Sequence, residues 1–309
     1  MRSLRLAPAL ACALALGVAP RANASVSVTD DAGQRVTLAT PARRVVALSP
    51  HAVELVYAAG GGAKLVGAVS YSDYPSAAKA LPRVGDNNAL DLERIVALKP
   101  DLVIVWRHGN DERQLDRLRA LGIALYHSEP RKLDDVATDL LALGTLLDTS
   151  AQAEAAAADY RAKIAALRAH YAERAPVSVF YQVWDDPLMT LNGTHIVSDI
   201  IALCGGRNVF ARLAPLVPTV SREAVVAADP EAIVTTSQGA THADAPLPSL
   251  ASWRAWPRMT AVARGNLFAI DGDLINRPGP RLVQGAEQLC RDLDIARAHR
   301  PPTRAAKMH

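Results

Sequence analysis

The chain has 309 residues, a formal net charge of +3 and three cysteines. That length is enough for two domains with cores of their own, and so small a charge argues against a nucleic-acid partner, which needs a clustered basic surface. Half of the residues are hydrophobic, yet beyond the first two dozen no stretch is long and apolar enough to span a bilayer.

Residues 1–24 read as a secretory signal peptide, with Arg2 and Arg5 at its basic start, an apolar stretch over 7–19, and Ala22-Asn-Ala as a small-residue cleavage site. Cys12 does not mark lipid attachment, because the apolar run continues past it to Val18. Removing this leader takes away three arginines and no acid, and with them the whole of the +3. The mature protein is expected to be soluble, monomeric and exported to the periplasm.

Residues 25–40 alternate apolar and polar around a turn at 30–33, which predicts a hairpin. A short strand over 44–48 is closed by Ser49-Pro50, and a helix over 51–59 ends at three consecutive glycines, Gly60 to Gly62. A strand over 65–69, a helix over 91–98 and a strand over 102–106 follow. Next come an amphipathic helix over 111–121, a strand over 124–127 and a helix over 133–147. Residues 149–174 are rich in alanine, glutamate, arginine and leucine, without glycine or proline. They predict one long helix of about 40 Å, at 1.5 Å per residue. A second round of alternation starts with a strand over 177–183 and a helix around 199–203, and it finishes with a strand over 266–270 and a helix over 281–296.

One pattern occurs twice, 130 residues apart: Asp91-Leu-Glu-Arg-Ile-Val-Ala-Leu-Lys-Pro-Asp-Leu-Val-Ile-Val and Ser221-Arg-Glu-Ala-Val-Val-Ala-Ala-Asp-Pro-Glu-Ala-Ile-Val-Thr. Each copy has a capping residue (Asp91, Ser221), a glutamate two positions on (Glu93, Glu223), a short apolar helix, a proline (Pro100, Pro230) and a buried-type strand. A duplicated helix–strand unit predicts two lobes of similar build with a ligand cleft between them. The expected fold class is α/β: two Rossmann-like lobes joined by one long rigid helix. The expected boundaries are an N-terminal lobe over 25–148, a connecting helix over 149–175, a C-terminal lobe over 176–297 and a disordered tail over 298–309. A single rigid connection predicts a modest opening motion. Cys204 and Cys290 remain after export, and an even count in an oxidising compartment permits one disulfide between the middle of the second lobe and its last helix. Two buried thiols are the alternative.

Several motifs together resemble a known family. They are Leu48-Ser-Pro with Glu54-Leu, Ser70-Tyr-Ser-Asp-Tyr-Pro, the run over 92–107 with Asn110, Glu112-Arg-Gln, Cys204-Gly-Gly, Val220-Ser-Arg-Glu and Pro280-Arg. The plan is similar to the substrate-binding proteins of bacterial ABC importers whose lobes are bridged by a single helix, and in particular to their cobalamin-binding branch. The likeness covers most of 43–296. It implies a protein without catalysis or cofactor that carries cobalamin or a related corrinoid to a dimeric ABC permease in the inner membrane. It also implies that Glu93 and Glu223, one per lobe, meet arginines of that permease. From the residues alone, each glutamate is simply an acid in the first turn of a helix, where it complements the helix dipole.

By the same resemblance Tyr71 and Trp106 contact the ligand, and the segment Asp273 to Arg277 lies against it. A tyrosine or tryptophan offers a flat apolar face suited to a macrocycle, and an arginine can bond its amides or phosphate. Three positions that carry large aromatics in the family are Asn87, Met189 and Val217 here, with Trp184 as partial compensation. His51, at a helix start aimed at the cleft, is a candidate axial ligand to cobalt or haem iron.

Haem and an iron–siderophore are the rival ligands. Eight scattered histidines without a His-rich loop argue against a free metal ion. The chain has no Gly-x-Ser-x-Gly elbow, phosphate loop or His-Glu-x-x-His motif, so no enzyme is expected.

Overall fold

The computed structural model describes residues 25–86, 89–237 and 248–302. The expected signal peptide, Asn87 and the last seven residues lie outside them.

The N-terminal lobe opens with an antiparallel hairpin, β1 (Val26–Thr29) and β2 (Arg35–Leu38). Asp30 shapes its turn: one carboxylate oxygen accepts from the amides of Ala32 and Gln34, and Gly33 supplies the positive φ of 76°. The other oxygen binds His127 Nδ1 at 2.6 Å and pins the hairpin to the lobe. Then follow β3 (Val45–Ala47), α1 (Pro50–Ala58), β4 (Leu65–Ala68), α2 (Leu92–Ala97), β5 (Leu102–Val105), α3 (Glu112–Ala120), β6 (Ala124–His127) and α4 (Leu133–Leu147). The sheet runs β4-β3-β5-β6 with every pair parallel. Its central strands, Val-Val-Ala and Leu-Val-Ile-Val, are buried at every residue, as a sheet covered by helices on both faces requires.

The connecting helix α5 (Ser150–Tyr171) has 22 residues, or about 33 Å at 1.5 Å per residue. It is shorter at both ends than the 149–175 expected, and Thr149 makes no capping bond through its side chain. Ala153, Ala157, Tyr160, Ile164 and Tyr171 form its buried stripe. Gly144 of α4 lets the two helices touch, since a Cβ there would stand 2.3 Å from that of Ala153.

The C-terminal lobe contains β7 (Val177–Gln182), the small hairpin of β8 (Trp184–Asp185) and β9 (Leu188–Met189), α6 (Ile196–Leu203), β10 (Gly206–Asn208), α7 (Arg222–Ala228) and β11 (Ala232–Ser237). It closes with α8 (Pro248–Ala251), α9 (Thr260–Ala263), β12 (Leu267–Asp271), α10 (Gly272–Ile275) and α11 (Leu282–Ala298). Its parallel sheet runs β10-β7-β11-β12. In both lobes the spatial order is second, first, third, fourth strand, and the duplicated segments are α2–β5 and α7–β11, which supply the third strand each time. Sequence periodicity missed β8, β9, β10 and the one-turn helices because each is too short to show a period.

The first residues of the segment expected to be a disordered tail are ordered. Helix α11 continues to Ala298, and the next two residues are held: His299 Nδ1 lies 2.7 Å from Asn266 Oδ1, and Arg300 pairs with Glu231 at 2.9 Å. Burial acts to raise the Glu231 carboxyl, but Arg300 and Arg264 hold it below the ordinary value. Cys204, at the end of α6, is disulfide-bonded to Cys290 in α11, 86 residues away. Closing so long a loop restricts the unfolded chain. Replacing both cysteines by alanine should therefore cost about 2–4 kcal/mol in denaturant unfolding, with the native near-ultraviolet dichroism retained.

Candidate ligand cleft

In open parallel sheets, ligands bind beyond the carboxyl ends of the strands. Segments that leave those ends in the two lobes meet here. From the N-terminal lobe come the start of α1, after β3, and the loop 69–75, after β4; from the C-terminal lobe comes the stretch 272–281, after β12. Arg277 and Arg281 of the second bond Asp73 and Glu54 of the first, so the two lobes are in direct contact beside the cleft.

Helix α1 is positioned by its cap. Ser49 accepts a hydrogen bond from the Ala52 amide and Pro50 occupies the first turn. This places Glu54 on the side turned to the other lobe, with its side chain 1 % exposed. Arg281 grips it with two bonds, Nε at 2.9 Å and Nη2 at 2.6 Å, and lies over the ring of Tyr74 at 4.1 Å. Arg277 reaches the same carboxylate at 3.5 Å, Asp73 at 2.8 Å and Asp273 at 2.7 Å. Burial acts to raise the Asp73 carboxyl, but the hydrogen bond and charge of Arg277, with the charge of Arg281, hold it below its usual value.

Tyr71 stands out from the loop after β4, 76 % exposed, on a left-handed backbone with φ 64°. Such a conformation is uncommon for a bulky residue and has to be held by its surroundings. The preceding Ser70 is fixed by amide and hydroxyl bonds on the Gly85 carbonyl. Trp106 follows β5 and is half-buried. Asn110 secures it, accepting from the Trp106 amide at 2.7 Å and donating to the Leu48 carbonyl at 3.1 Å, so the ends of β3 and β5 are tied together. The indole lies against Gly109, where any Cβ would stand 1.8 Å from the ring. Trp184, which opens β8 just beyond β7, is 57 % exposed and donates its indole N–H to the Asp186 carbonyl. Met189 pairs with it across the small hairpin, and Met189 and Val217 are both half-buried.

His51 corrects an expectation. Its ring is buried instead of presented to the cleft: it packs edge-on against Trp106 with centroids 6.0 Å apart, lies 3.5 Å from Ser49 Oγ and hydrogen-bonds the Ser128 backbone. Burial, with a smaller contribution from the charge of Arg277, pushes its pKa down to about 4. It is a neutral support beneath Trp106. The Arg277 guanidinium is engaged by three carboxylates. Sequence reasoning overlooked Glu54, Asp73 and Arg281. A signal existed for Glu54: it is the one acid in the otherwise apolar run Ala52-Val-Glu-Leu-Val, where helix periodicity calls for core.

Glu93 and Glu223 are exposed, each in the first turn of its lobe's repeat helix. Asp91 caps α2 through the Arg94 amide and Ser221 caps α7 through the Ala224 amide, so equivalent caps present equivalent acids. Hydrogen bonds from its own backbone amide and from Ser221 hold the Glu223 carboxyl below its usual value. A separate recess of about 540 Å³ borders Glu54 and Arg281 on the side of α5, with Tyr57, Tyr160 and Lys163 in its wall. Tyr71, Trp106, Trp184 and Arg277 do not line it, so it is distinct from the cleft they mark. Among the described residues no group of three or more His, Cys, Asp or Glu is arranged to hold a metal ion, and no helix is long and apolar enough to cross a membrane.

Two matched lobes, a cleft at their strand ends and a bridging helix define a two-lobed ligand-capturing protein. The family model described as "Periplasmic binding protein" matches residues 45–274, and the chain belongs to that family. The chain is 39 % identical over 257 residues to the vitamin B12-binding protein of Vibrio cholerae, covering 83 % of this chain and 91 % of that protein. It is 38 % identical over 271 residues to the vitamin B12-binding protein of Yersinia pestis, covering 88 % and 91 %. The crystal structure of the periplasmic vitamin B12 binding protein BtuF of Vibrio cholerae superposes with a TM-score of 0.75, covering 83 % of this chain and 98 % of that one. The periplasmic heme-binding protein RhuT from Roseiflexus sp. RS-1, in apo form, superposes with a TM-score of 0.72 at 26 % identity, covering 82 % and 99 %.

The buried imidazole generates a prediction. Its pKa is lower in the folded chain than the ordinary 6.5, so the unfolded chain binds the proton first on acidification. Its contribution to stability is complete above that value and declines as pH falls toward 4. Between pH 6 and 4.5 the wild type should lose roughly 1 kcal/mol per pH unit relative to His51→Gln in denaturant unfolding. Parallel curves for the two proteins would contradict a buried neutral ring.

Proposed function

We propose that this protein captures cobalamin or a closely related corrinoid in the periplasm and delivers it to the dimeric permease of an ABC importer, with no chemical change to the ligand. The observation that carries this reading is the 39 % identity, over 83 % of the chain, to a vitamin B12-binding protein of the same fold. The cleft supports it. Tyr71 and Trp184 expose large flat faces on opposite lobes, and Trp106 adds a third from the end of β5. Broad aromatic faces suit a planar macrocycle, and Asp273 and Arg277 at the rim suit its polar edge. Met189 and Val217, where the family carries aromatics, leave more room on the C-terminal side, which fits a shifted or slightly different corrinoid.

Haem is the second reading, favoured by the fold likeness to a heme-binding protein and by the free phenol of Tyr71. The buried His51 removes one of its two candidate axial ligands. Isothermal titration with cyanocobalamin, cobinamide and haemin separates the two, and submicromolar haemin binding with no corrinoid heat would overturn the proposal. Tyr71→Ala and Trp106→Ala should each weaken corrinoid binding by about tenfold or more, the loss expected of a buried aromatic anchor.

Glu93 and Glu223 provide the docking contacts on this reading. Two matched acids on two matched lobes fit the two equal basic sites of a dimeric permease, and such rim pairs set register and encounter rate more than affinity. The double variant Glu93→Ala/Glu223→Ala should keep its ligand affinity and lose stimulation of the importer's ATP hydrolysis in liposomes. Undiminished stimulation would remove the docking role.

A further inference from the structure

Five charged side chains meet beside the cleft, and they divide into two unequal arms. Glu54 and Asp73 come from the N-terminal lobe; Arg277, Arg281 and Asp273 come from the C-terminal lobe. In the first arm both partners are sequestered: Glu54 is 1 % exposed and Arg281 14 %, and they share two bonds of 2.9 and 2.6 Å. The far face of Arg281 is closed by Tyr74. A buried carboxylate stripped of its main partner is strongly destabilised, and Arg277, at 3.5 Å, reaches Glu54 only at the edge of bonding distance. This arm therefore yields less readily than a pair whose carboxylate is open to water. In the second arm, Arg277 is held mainly by carboxylates that water already reaches, Asp73 at 46 % and Asp273 at 38 % exposure. The Arg277 guanidinium is itself only 13 % exposed, so it is the water-accessible carboxylates that make this arm the easier one to exchange.

Only one of the two exposed partners lies across the cleft. Asp273 is four residues from Arg277 on its own lobe and moves with it, whereas Asp73 belongs to the loop that carries Tyr71. A ligand lodged against Tyr71 meets Arg277 where Asp73 now holds it. We propose that these side chains form a two-arm latch. The buried Glu54–Arg281 arm fixes the separation of the lobes, and the exposed Asp73–Arg277 arm is ceded to a hydrogen-bond acceptor on the incoming ligand, an amide carbonyl or phosphate oxygen. Glu54 is then a positioning residue and Asp73 a built-in competitor of the ligand for Arg277. The first arm stands without any assumption about the ligand; the second rests on the corrinoid reading.

The two arms are tested separately on the mature chain with its disulfide intact. For the first, spin labels on Arg113→Cys and Arg254→Cys, exposed positions on opposite lobes, report interlobe distances in ligand-free protein. Glu54→Gln and Arg281→Gln should each broaden and lengthen the distribution, and the double variant should add nothing to either single change. An unchanged distribution in a folded variant, or fully additive changes, would overturn this arm. For the second, Asp73→Asn keeps the shape of a half-exposed side chain and removes its charge. It should bind cyanocobalamin roughly three- to tenfold more tightly than the wild type, with the gain vanishing in an Arg277→Gln background. Equal or weaker binding by Asp73→Asn would show that this carboxylate does not compete with the ligand. Should Glu54→Gln fail to fold, Arg281→Lys takes its place: an ammonium cannot make the two-bond grip, and the distribution should broaden partway. If no corrinoid binds the wild type, the functional reading fails while the distance measurement still decides the first arm.

Discussion

Glu54 sits where an apolar side chain would be expected. Its carboxylate, 1 % exposed and on the first helix of one lobe, is neutralised by Arg281, 227 residues later on the other. Replacement of such a pair by packed apolar residues is often neutral or stabilising in other proteins. What the ionic version adds here is direction. An apolar contact tolerates sliding, whereas two bonds between a planar guanidinium and a planar carboxylate set both distance and orientation. The lobes are thus registered at the point where their strand ends converge, and the positions of Tyr71, Trp106 and Arg277 relative to one another depend on that registration.

The bridging helix supplies the complementary constraint. Helix α5 buries a stripe running from Ala153 to Tyr171, packed first against α4 and then against α6 and α11. Because Gly144 admits close approach to Ala153, α4 and α5 lie nearly in backbone contact, and α5 is an extension of the N-terminal lobe as much as a linker. A rigid rod on one side and an ion-pair latch on the other leave little freedom between the lobes. The disulfide from α6 to α11 ties two helices of the C-terminal lobe together and does not cross between the lobes.

Much of this was legible in the sequence, for identifiable reasons. The duplication was visible because the cap, the glutamate, the proline and the strand recur at one fixed offset, and the structure places both copies at the third strand of sheets with the same order. Central strands read clearly because a doubly covered parallel strand must be apolar throughout. The latch was not legible, because its partners are far apart in the chain and a charged residue read alone defaults to solvent. His51 misled for a related reason. A polar residue at a helix start beyond a strand end is ordinarily presented to the ligand, but Trp106 folds over it and Gly109 leaves space for the indole to do so. What a linear reading lacks is knowledge of which side chain covers which.

The same burial that hides His51 sets up opposed titrations across the fold. His51 and His195 are both pushed by burial down to about 4, so acidification from the ordinary histidine value favours the unfolded chain. Burial pushes Asp31 up to about 6 and Asp292 to about 7, and raises Asp139, which accepts bonds from Tyr126 and Ser128, well above the usual carboxylate range. These aspartates bind protons sooner in the folded chain, so over the same interval acidification favours the folded state. The two sets act with opposite sign between about pH 4 and 6.5, and their slopes offset. The latch lies within reach of these groups: beside the burial that lowers the His51 pKa, the charge of Arg277, itself held by Asp73 and Glu54, acts in the same direction.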